Sequence, residues 1–254
     1  MSDNLVAVVT GGSRGVGAAT AKLLSDNGWN VLITCSSSIK EARMIAKNCS
    51  NESAEVVAFQ ADVANDEHCI SSINKAIEKW GRLDAVVNNA GTTKFAWDHS
   101  ELNNLDAEDF QHIYCVNVVG PFQMVKAAKE HLLKSPNPCV VNISSIAGIK
   151  GIGSSLAYAS SKGALNTMTL SMARNLGPIR VNAVCPGFIE GEWLKNGMGP
   201  EMYEAVKLRV QTSTPLKKTC TPESIAEVIL NIIESSELMT GQLVTVDGGA
   251  SLDL

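Results

Sequence analysis

The sequence has few aromatic side chains, little excess charge and no long hydrophobic run. Aromatic residues make up 5% of its 254 positions, and the net charge of −5 with a pI near 5.4 argues against a nucleic-acid or basic membrane surface. No stretch approaches the roughly 20 uninterrupted apolar residues that span a bilayer. The polar residues 1–4 lead directly into an apolar run, which leaves no room for a signal peptide. We therefore expect a cytoplasmic protein that binds neither nucleic acid nor membrane.

Disulfides, metal sites and domain linkers are also not indicated. The seven cysteines are an odd number without CxxC spacing, which favours reduced core thiols. The four histidines are scattered without ligand spacing, so we assign no metal role to His68, His99, His112 or His131. No Pro/Gly/Ser-rich linker, low-complexity tract or repeat divides the chain. One domain over residues 1–254 is the better interpretation than two small ones.

Apolar strand candidates alternate with helix candidates along the whole chain. The strands are predicted at residues 5–9, 30–35, 55–60, 83–87, near 140, at 180–184 and ending at 246. The helices are predicted at residues 15–27, 39–48, 66–80, 106–133, 158–175 and once more before the last strand. Strict alternation is typical of an α/β fold: a single doubly wound domain whose parallel sheet carries helices on both faces.

A glycine turn follows the first strand candidate. Thr10–Gly17 reads Thr-Gly-Gly-Ser-Arg-Gly-Val-Gly and precedes an Ala/Leu-rich helix candidate. Glycines let the backbone approach a pyrophosphate closely, and the helix N-terminus then holds the anion. Tight strand-to-helix turns also need glycine for structural reasons alone. The strand–turn–helix context favours phosphate binding.

A tyrosine and a lysine stand one helical turn apart in the second half of the chain. The spacing of Tyr158 and Lys162 places a phenol and an ammonium on one helix face. We expect the cation to lower the phenol pKa toward neutrality, so that Tyr158 exchanges protons at working pH. Such pairs also occur by chance on solvated helix faces. Two strand ends supply further polar groups: Asn88–Gly91, and Ser145, which could donate a hydrogen bond to a substrate oxygen.

These motifs together resemble the short-chain dehydrogenase/reductase family, in the compact subgroup that includes 3-oxoacyl-acyl-carrier-protein reductases. Their order and spacing carry the resemblance over nearly the whole chain. The matching positions are Thr10–Gly17, Asp62 and Val63, Asn88–Gly91, Asn117, Ser145, Tyr158, Lys162, Pro186 and Gly187, and Asp247–Gly249. The resemblance implies a Rossmann fold and hydride transfer between a nicotinamide cofactor and a carbonyl or alcohol carbon.

The resemblance also implies a role for individual positions. Tyr158 would donate the proton, Lys162 would bind the nicotinamide ribose, Ser145 would polarise the carbonyl, and Asn117 would kink its helix and bind a water that feeds protons toward Lys162. The implied cofactor contacts are Gly11, Ser13, Arg14, Gly15, Val16, Gly17, Cys35, Ser36, Ser37, Asp62, Val63, Asn89, Ala90, Gly91, Tyr158, Lys162, Pro186, Gly187 and Ile189.

The end of the second strand indicates which nicotinamide cofactor binds. NAD enzymes place an acidic residue there, which accepts hydrogen bonds from the ribose 2′-hydroxyl and repels a 2′-phosphate. Here Cys35 takes that place, and Arg14, Ser36 and Ser37 are positioned to bind the phosphate. We therefore predict NADP(H). Arg14 could instead pair with a neighbouring carboxylate, and Asp62, which resembles the residue that reads the adenine amino group, could be a cap or turn former.

The region after Pro186 departs from the family pattern and holds the expected substrate lid. Gly191 stands where relatives commonly carry a cofactor-binding threonine, which removes one contact. Residues 190–216 are predicted to form the lid, with Gly197 and Gly199 suited to a hinge. Its apolar, methionine-containing surface fits a hydrophobic substrate or simple packing against the body. Basic residues available to an acidic acyl carrier protein are Lys195, Lys207, Arg209, Lys217 and Lys218.

Three functions remain open from the sequence. The first is NADPH-dependent reduction of a small-molecule carbonyl or acyl substrate, and the second is oxidation of a secondary alcohol or sugar by the same residues. The third is a nucleotide-sensing regulator without turnover, which the presence of Ser145, Tyr158 and Lys162 disfavours. The helices at residues 106–133 and 158–175 resemble the family's dimer face, which implies a homodimer or homotetramer.

Overall fold

A computed structural model describes residues 4–252 as one seven-stranded parallel sheet with helices on both faces. The strands are β1 (Val6–Val9), β2 (Asn30–Cys35), β3 (Val56–Gln60), β4 (Ala85–Asn88), β5 (Cys139–Ile143), β6 (Arg180–Pro186) and β7 (Leu243–Val246). Their order across the sheet is β3-β2-β1-β4-β5-β6-β7. The predicted α/β doubly wound fold is confirmed. Residues 1–3, on which the expectation of no signal peptide partly depends, lie outside the described part.

Ten α-helices connect and cover these strands in the described part of the chain. They are α1 (Gly15–Asp26), α2 (Ile39–Cys49), α3 (Asp66–Trp80), α4 (Ala107–Tyr114), α5 (Gly120–Leu132), α6 (Ala147–Lys150), α7 (Leu156–Asn175), α8 (Glu192–Met198), α9 (Pro200–Ser213) and α10 (Pro222–Glu234). Within residues 4–252, no helix has the length and apolar character needed to cross a membrane.

Each sheet face buries its own hydrophobic core. Because strand side chains alternate, Ala7 and Val9 of β1 face one core while Val6 and Val8 face the other. The first core packs against α1, α2 and α10, and the second against α3 and α5. All four β1 side chains are fully buried. This accounts for the continuous apolar runs that predicted the strands.

Two buried charged residues tie together the amino ends of the strands. The Asp84 carboxylate accepts hydrogen bonds from the Val6 backbone at 2.9 Å, from two Arg82 nitrogens at 2.8 and 2.9 Å, and from Ser135 at 2.6 Å. Arg180 donates to the carbonyls of Ile232 and Ile233 in the last turn of α10, both at 2.8 Å. These charges are satisfied, because each makes several hydrogen bonds to fixed groups.

The structure differs from the sequence analysis in three places. The helix predicted over residues 106–133 is α4 and α5, joined by a π-helical turn at Cys115–Val119. The short helix α6 was not predicted. The lid forms two helices, α8 and α9, separated at Gly199, whose φ of +77° suits glycine. Gly197, the other expected hinge residue, lies inside α8 and has a different role, described below.

Candidate active site

One large cavity of about 1250 Å³ opens at the carboxyl ends of the strands. This is the edge where open parallel sheets bind ligands. The predicted site residues that line it are Gly11, Ser13, Arg14, Gly15, Val16, Cys35, Ser36, Ser37, Asp62, Val63, Asn89, Ala90, Gly91, Ser145, Tyr158, Lys162, Pro186, Gly187 and Ile189. Gly17 and Asn117 lie behind this wall. In the described part of the chain, no group of three or more His, Cys, Asp or Glu residues is placed to hold a metal ion.

The glycine turn has the shape of a phosphate cradle. Gly11 and Gly15 have φ values of +66° and +54°, which side chains rarely adopt, and the space beside Gly15 is open. A Cβ at Gly12 would lie 2.5 Å from Cβ of Ile33, so this glycine is needed for packing. A Cβ at Gly17 would overlap the Gly11 carbonyl. Gly17 thus lets α1 approach the turn closely and does not form part of the cavity surface.

The N-terminus of α1 faces this cradle without a side-chain cap. Arg14 is the N-cap residue and makes no capping hydrogen bond, and the first turn contains no acidic residue. The free N–H groups and the helix dipole therefore favour an anion at this point. Together with the cradle, this end of α1 fits the pyrophosphate of a dinucleotide.

Asn89 fixes the cradle against the end of β4. Its side-chain amide donates to the carbonyls of Thr10 and Gly11 at 2.8 and 3.0 Å. In return, the Thr10 hydroxyl accepts hydrogen bonds from the backbone N–H groups of Asn89 and Ala90 at 3.0 and 2.9 Å. The motif asparagine therefore shapes the backbone on both sides of the cavity and also lines it.

The end of β2 provides hydroxyl groups and a cationic neighbour but no carboxylate. Cys35, Ser36 and Ser37 line the cavity with Arg14. Cys35 is buried, and burial raises the pKa of its thiol, with Glu41 as a secondary cause. Asp62 follows the neighbouring strand β3, accepts a hydrogen bond from the Ala64 backbone at 3.0 Å and remains partly exposed. These residues could hold the adenosine part of a nicotinamide cofactor.

Ser145, Tyr158 and Lys162 meet at the inner end of the cavity. The Ser145 hydroxyl hydrogen-bonds the Tyr158 phenol. The Lys162 ammonium lies 5.6 Å from the centroid of the Tyr158 ring and donates to the Ile143 carbonyl at 2.7 Å. The Ser155 hydroxyl caps α7 by accepting from the Tyr158 N–H at 3.1 Å, which fixes where the helix begins. The i,i+4 spacing on α7 therefore does bring the two groups together.

The expected lowering of the Tyr158 pKa toward neutrality by Lys162 is not found in the structure. Burial raises its pKa to about 12, and the Ser145 hydrogen bond opposes this only in part. Burial also lowers the pKa of Lys162 to about 8. Desolvation is the largest cause for both groups. At neutral pH the phenol holds its proton.

Asn117 sits in the π-helical turn and is completely buried. Its amide oxygen accepts from the Thr92 N–H at 2.8 Å, and its amide nitrogen donates to the Thr92 carbonyl at 2.9 Å and the Ser161 hydroxyl at 3.0 Å. These bonds connect the β4 loop to α7. Asn117 therefore positions the wall beside Lys162, and π-turns of this kind are frequent at functional sites.

Two hydrogen bonds join the first residues of the predicted lid to α9 of the same segment. Glu190 binds Lys207 of α9 at 2.6 Å and also accepts from the Thr219 hydroxyl, so Lys207 is not a free cation for a carrier protein. The Gly191 N–H donates to the buried Tyr203 hydroxyl at 3.2 Å. This contact fixes the loop where the family threonine is missing.

Sequence reasoning missed an aromatic group at the cavity entrance. Phe95 and Trp97 follow the Asn88–Gly91 motif, and their rings stack with centroids 5.4 Å apart. A Cβ at Gly197 would lie well under 3.0 Å from the Phe95 ring, so α8 docks directly on it. The Trp97 indole also donates to the Gly197 carbonyl at 3.3 Å. Two aromatic residues two positions apart, in a chain poor in them, were the available signal.

Comparison with known proteins places this site in a family. A family model described as enoyl-(acyl carrier protein) reductase matches residues 11–251. A protein of Streptomyces violaceoruber, named as a ketoacyl reductase of the granaticin polyketide synthase, is 38% identical over 248 residues, covering 97% of this chain and 96% of its own. The chain belongs to the short-chain dehydrogenase/reductase family.

Other members confirm the match over the full length of this short-chain dehydrogenase/reductase. The 3-oxoacyl-[acyl-carrier-protein] reductase of Thermotoga maritima is 32% identical over 247 residues, covering 96% of each chain. A solved short-chain dehydrogenase/reductase structure from Burkholderia xenovorans superimposes with a TM-score of 0.90 at 37% identity, covering 99% of this chain and all of the other. The predicted resemblance is thereby confirmed, and the family is one of nicotinamide-dependent oxidoreductases.

Proposed function

We propose that the protein reduces a ketone to a secondary alcohol with NADPH. The observation that carries this proposal is the meeting of Ser145, Tyr158 and Lys162 at the inner end of the dinucleotide-shaped cavity. The family relationship makes the protein an oxidoreductase, and the geometry of these three side chains supports the reaction.

Each of these residues has a task that its position allows. Ser145 donates a hydrogen bond to the substrate carbonyl oxygen and polarises it. Tyr158 gives its proton to that oxygen. Lys162 holds positive charge beside the phenol and binds a ribose hydroxyl, and Asn117 keeps this wall in place. A nicotinamide bound here supplies the hydride, which is the difficult part of the chemistry.

The protonation state of Tyr158 favours the reducing direction. A phenol whose pKa is about 12 is protonated at neutral pH and is ready to donate. Oxidation of an alcohol would use the same residues in reverse, with the deprotonated Tyr158 as the base. The oxidising dehydrogenase is the second candidate. The sensing regulator ranks last because the complete set of three residues lines one cavity.

The choice of NADPH is supported by the end of β2. Arg14, Ser36 and Ser37 border the cavity where a ribose 2′-phosphate would lie, and Cys35 replaces the carboxylate that would repel it. Asp62, which follows the neighbouring strand β3, also lines the cavity and is assigned to the adenine. The proposed substrates are carbonyl or 3-oxoacyl compounds, as the relatives' names suggest.

The test is NADPH oxidation at 340 nm with a panel of ketones and 3-oxoacyl thioesters, comparing wild type with Tyr158→Phe. We expect turnover of one substrate class with NADPH and a loss of about 10²- to 10⁴-fold in the variant, the range for a general acid. Tight NADPH binding without turnover of any compound would favour the sensor. Activity with NADH alone would contradict the assignment of Arg14 and Cys35.

We also propose that two copies pair through α5 and α7. Val119, Phe122 and Leu170 are exposed there, beside an apolar groove of about 290 Å³ lined mainly by those two helices. Light scattering should give a dimer or tetramer mass, which Phe122→Asp should reduce. A monomer mass for wild type would refute this.

The cytoplasmic location remains a prediction, which the seven free cysteines support.

A further inference from the structure

Three aromatic rings form one continuous surface next to the proposed proton donor, and we name Phe95, Trp97 and Trp193 the aromatic wall. Phe95 contacts Trp97 at 5.4 Å and Trp193 at 5.7 Å between ring centroids. Trp193 in turn lies 6.3 Å from Tyr158, tilted by 53°. The chain has four Trp, three Tyr and five Phe, so an unusual share of its aromatic surface is concentrated at this site.

The aromatic wall is held in place before any substrate arrives. The Phe95 ring rests on the backbone of Gly197 in α8, and the Trp97 indole N–H is bonded to the carbonyl of the same residue. The polar atom of Trp97 is thus already paired, and the residue lines the cavity. Rings fixed in advance contribute contact area at a low entropic cost.

The position of Trp193 determines which part of a substrate it meets. The substrate oxygen has to come within hydrogen-bond distance of the Tyr158 hydroxyl, so the atoms next to the carbonyl lie beside Trp193. Trp193 lines the cavity and is 38% exposed, which leaves ring surface available. The neighbouring lining residues Leu194, Met198 and Ile152 are apolar. The substituents of the carbonyl therefore face a largely apolar surface that includes the rings of Trp97 and Trp193.

We propose that this site selects ketones carried on a ring system fused to a planar aromatic ring, in preference to saturated and open-chain ketones. This inference rests on the proposed function and names its substrate class. Leucine or methionine side chains would bury a flexible acyl chain as well as aromatic side chains do. Fixed aromatic rings in addition form offset-stacked or edge-to-face contacts, and these require an aromatic ring in the substrate. In the reaction, hydride from a reduced nicotinamide dinucleotide adds to the carbonyl carbon and the Tyr158 proton goes to the oxygen. The ketone is reduced to the alcohol and the cofactor is oxidised.

The experiment compares 2-tetralone with 2-decalone, which share a carbon skeleton and differ in whether the second ring is aromatic. Acetoacetyl-N-acetylcysteamine serves as the open-chain 3-oxoacyl probe. We expect wild type to show the highest kcat/KM with 2-tetralone. Trp193→Leu should lower the tetralone-to-decalone ratio by about 2- to 12-fold, the range for one aromatic contact, and Trp193→Phe should retain it. Met44→Ala, at an exposed position of α2 that does not line the cavity, is the control and should leave the ratio unchanged.

Two results would overturn the inference while leaving the proposed function intact. One is a wild-type kcat/KM for 2-decalone or the thioester that equals or exceeds that for 2-tetralone. The other is a ratio that Trp193→Leu and Trp193→Phe change equally or not at all. Failure to reduce any of the three probes or any ketone of the wider panel would instead reject the proposed function, and the inference with it. If Trp193→Leu does not fold, the wild-type ratio and Trp193→Phe still decide.

Discussion

Gly197 in the lid offers a direct test of how α8 docks on the body. In Gly197→Ala the new methyl group would lie well under 3.0 Å from Cζ, Cε1 and Cε2 of Phe95. Carbon atoms in contact prefer about 3.5–4.0 Å, so the ring or the helix has to move by roughly an ångström or more. Overpacking of this kind costs about 1–3 kcal/mol, which corresponds to about 5- to 150-fold in the population of the docked lid.

We expect kcat/KM for ketone reduction to fall by about tenfold or more, with little change in Tm, because α8 lies on the surface and carries no buried side chain. Steady-state kinetics and a thermal melt measure the two quantities. Asn196→Ala, at an exposed neighbouring position of the same helix, is the matched control.

The double variant Phe95→Ala/Gly197→Ala identifies the cause. Without the Phe95 ring the three closest contacts of the added methyl group are gone, so the double variant should equal Phe95→Ala alone. Wild-type activity in Gly197→Ala, or a double variant much worse than Phe95→Ala, would show that this contact does not hold the lid.

Three further outcomes follow from the site. Burial lowers the pKa of Lys162 to about 8, so the positive charge of this side chain is present below that pH and lost above it. We therefore expect kcat/KM for reduction to fall as the pH rises through about 8. Tyr158, with a pKa of about 12, stays protonated over this range. A flat profile to pH 10 would contradict this. Cys35→Asp should reduce the ratio of kcat/KM with NADPH to kcat/KM with NADH by about 10- to 100-fold, because a charge-assisted contact is worth about 1.5–3 kcal/mol. Arg14→Ala should lower the same ratio. An unchanged ratio in both variants would place the 2′-phosphate elsewhere. Asn117→Ala removes three hydrogen bonds from a fully buried amide and should lower the free energy of unfolding by about 3 kcal/mol in urea titrations; a loss below about 1 kcal/mol would show that Thr92 finds other partners.

The strands could be predicted from the sequence because their burial is local information. Strands buried on both faces read as continuous apolar runs, and all seven appear close to the predicted positions. The glycine turn and the Tyr158–Lys162 pair could also be predicted from the sequence, since each depends on the spacing of residues within one local segment. Their convergence on one cavity then followed from the parallel sheet, which gathers the carboxyl ends of its strands.

Other features depend on contacts between distant residues and left no local signal. The π-helical turn interrupts a segment with good helical periodicity, and only the family resemblance, which implied that Asn117 kinks its helix, indicated it. In the turn, Asn117 bonds to Thr92 and Ser161. The high pKa of Tyr158 reflects tertiary burial, which the helical spacing alone does not report. Gly197 resembled a hinge residue in sequence but proved to be a docking point for Phe95, a residue about one hundred positions away.

The buried charges at the amino ends of the strands have a consequence for the evolution of the protein. Asp84 and Arg180 anchor β1, β4, β6 and α10 at the end of the sheet remote from the cavity. Rigidity is thus supplied at one end of the same strands whose other end meets the ligands. Loops at the ligand end, including the aromatic wall and lid, are then free to accumulate substitutions that alter substrate preference without loss of the fold. A library for new activities should vary the loops and leave Asp84 and Arg180 untouched.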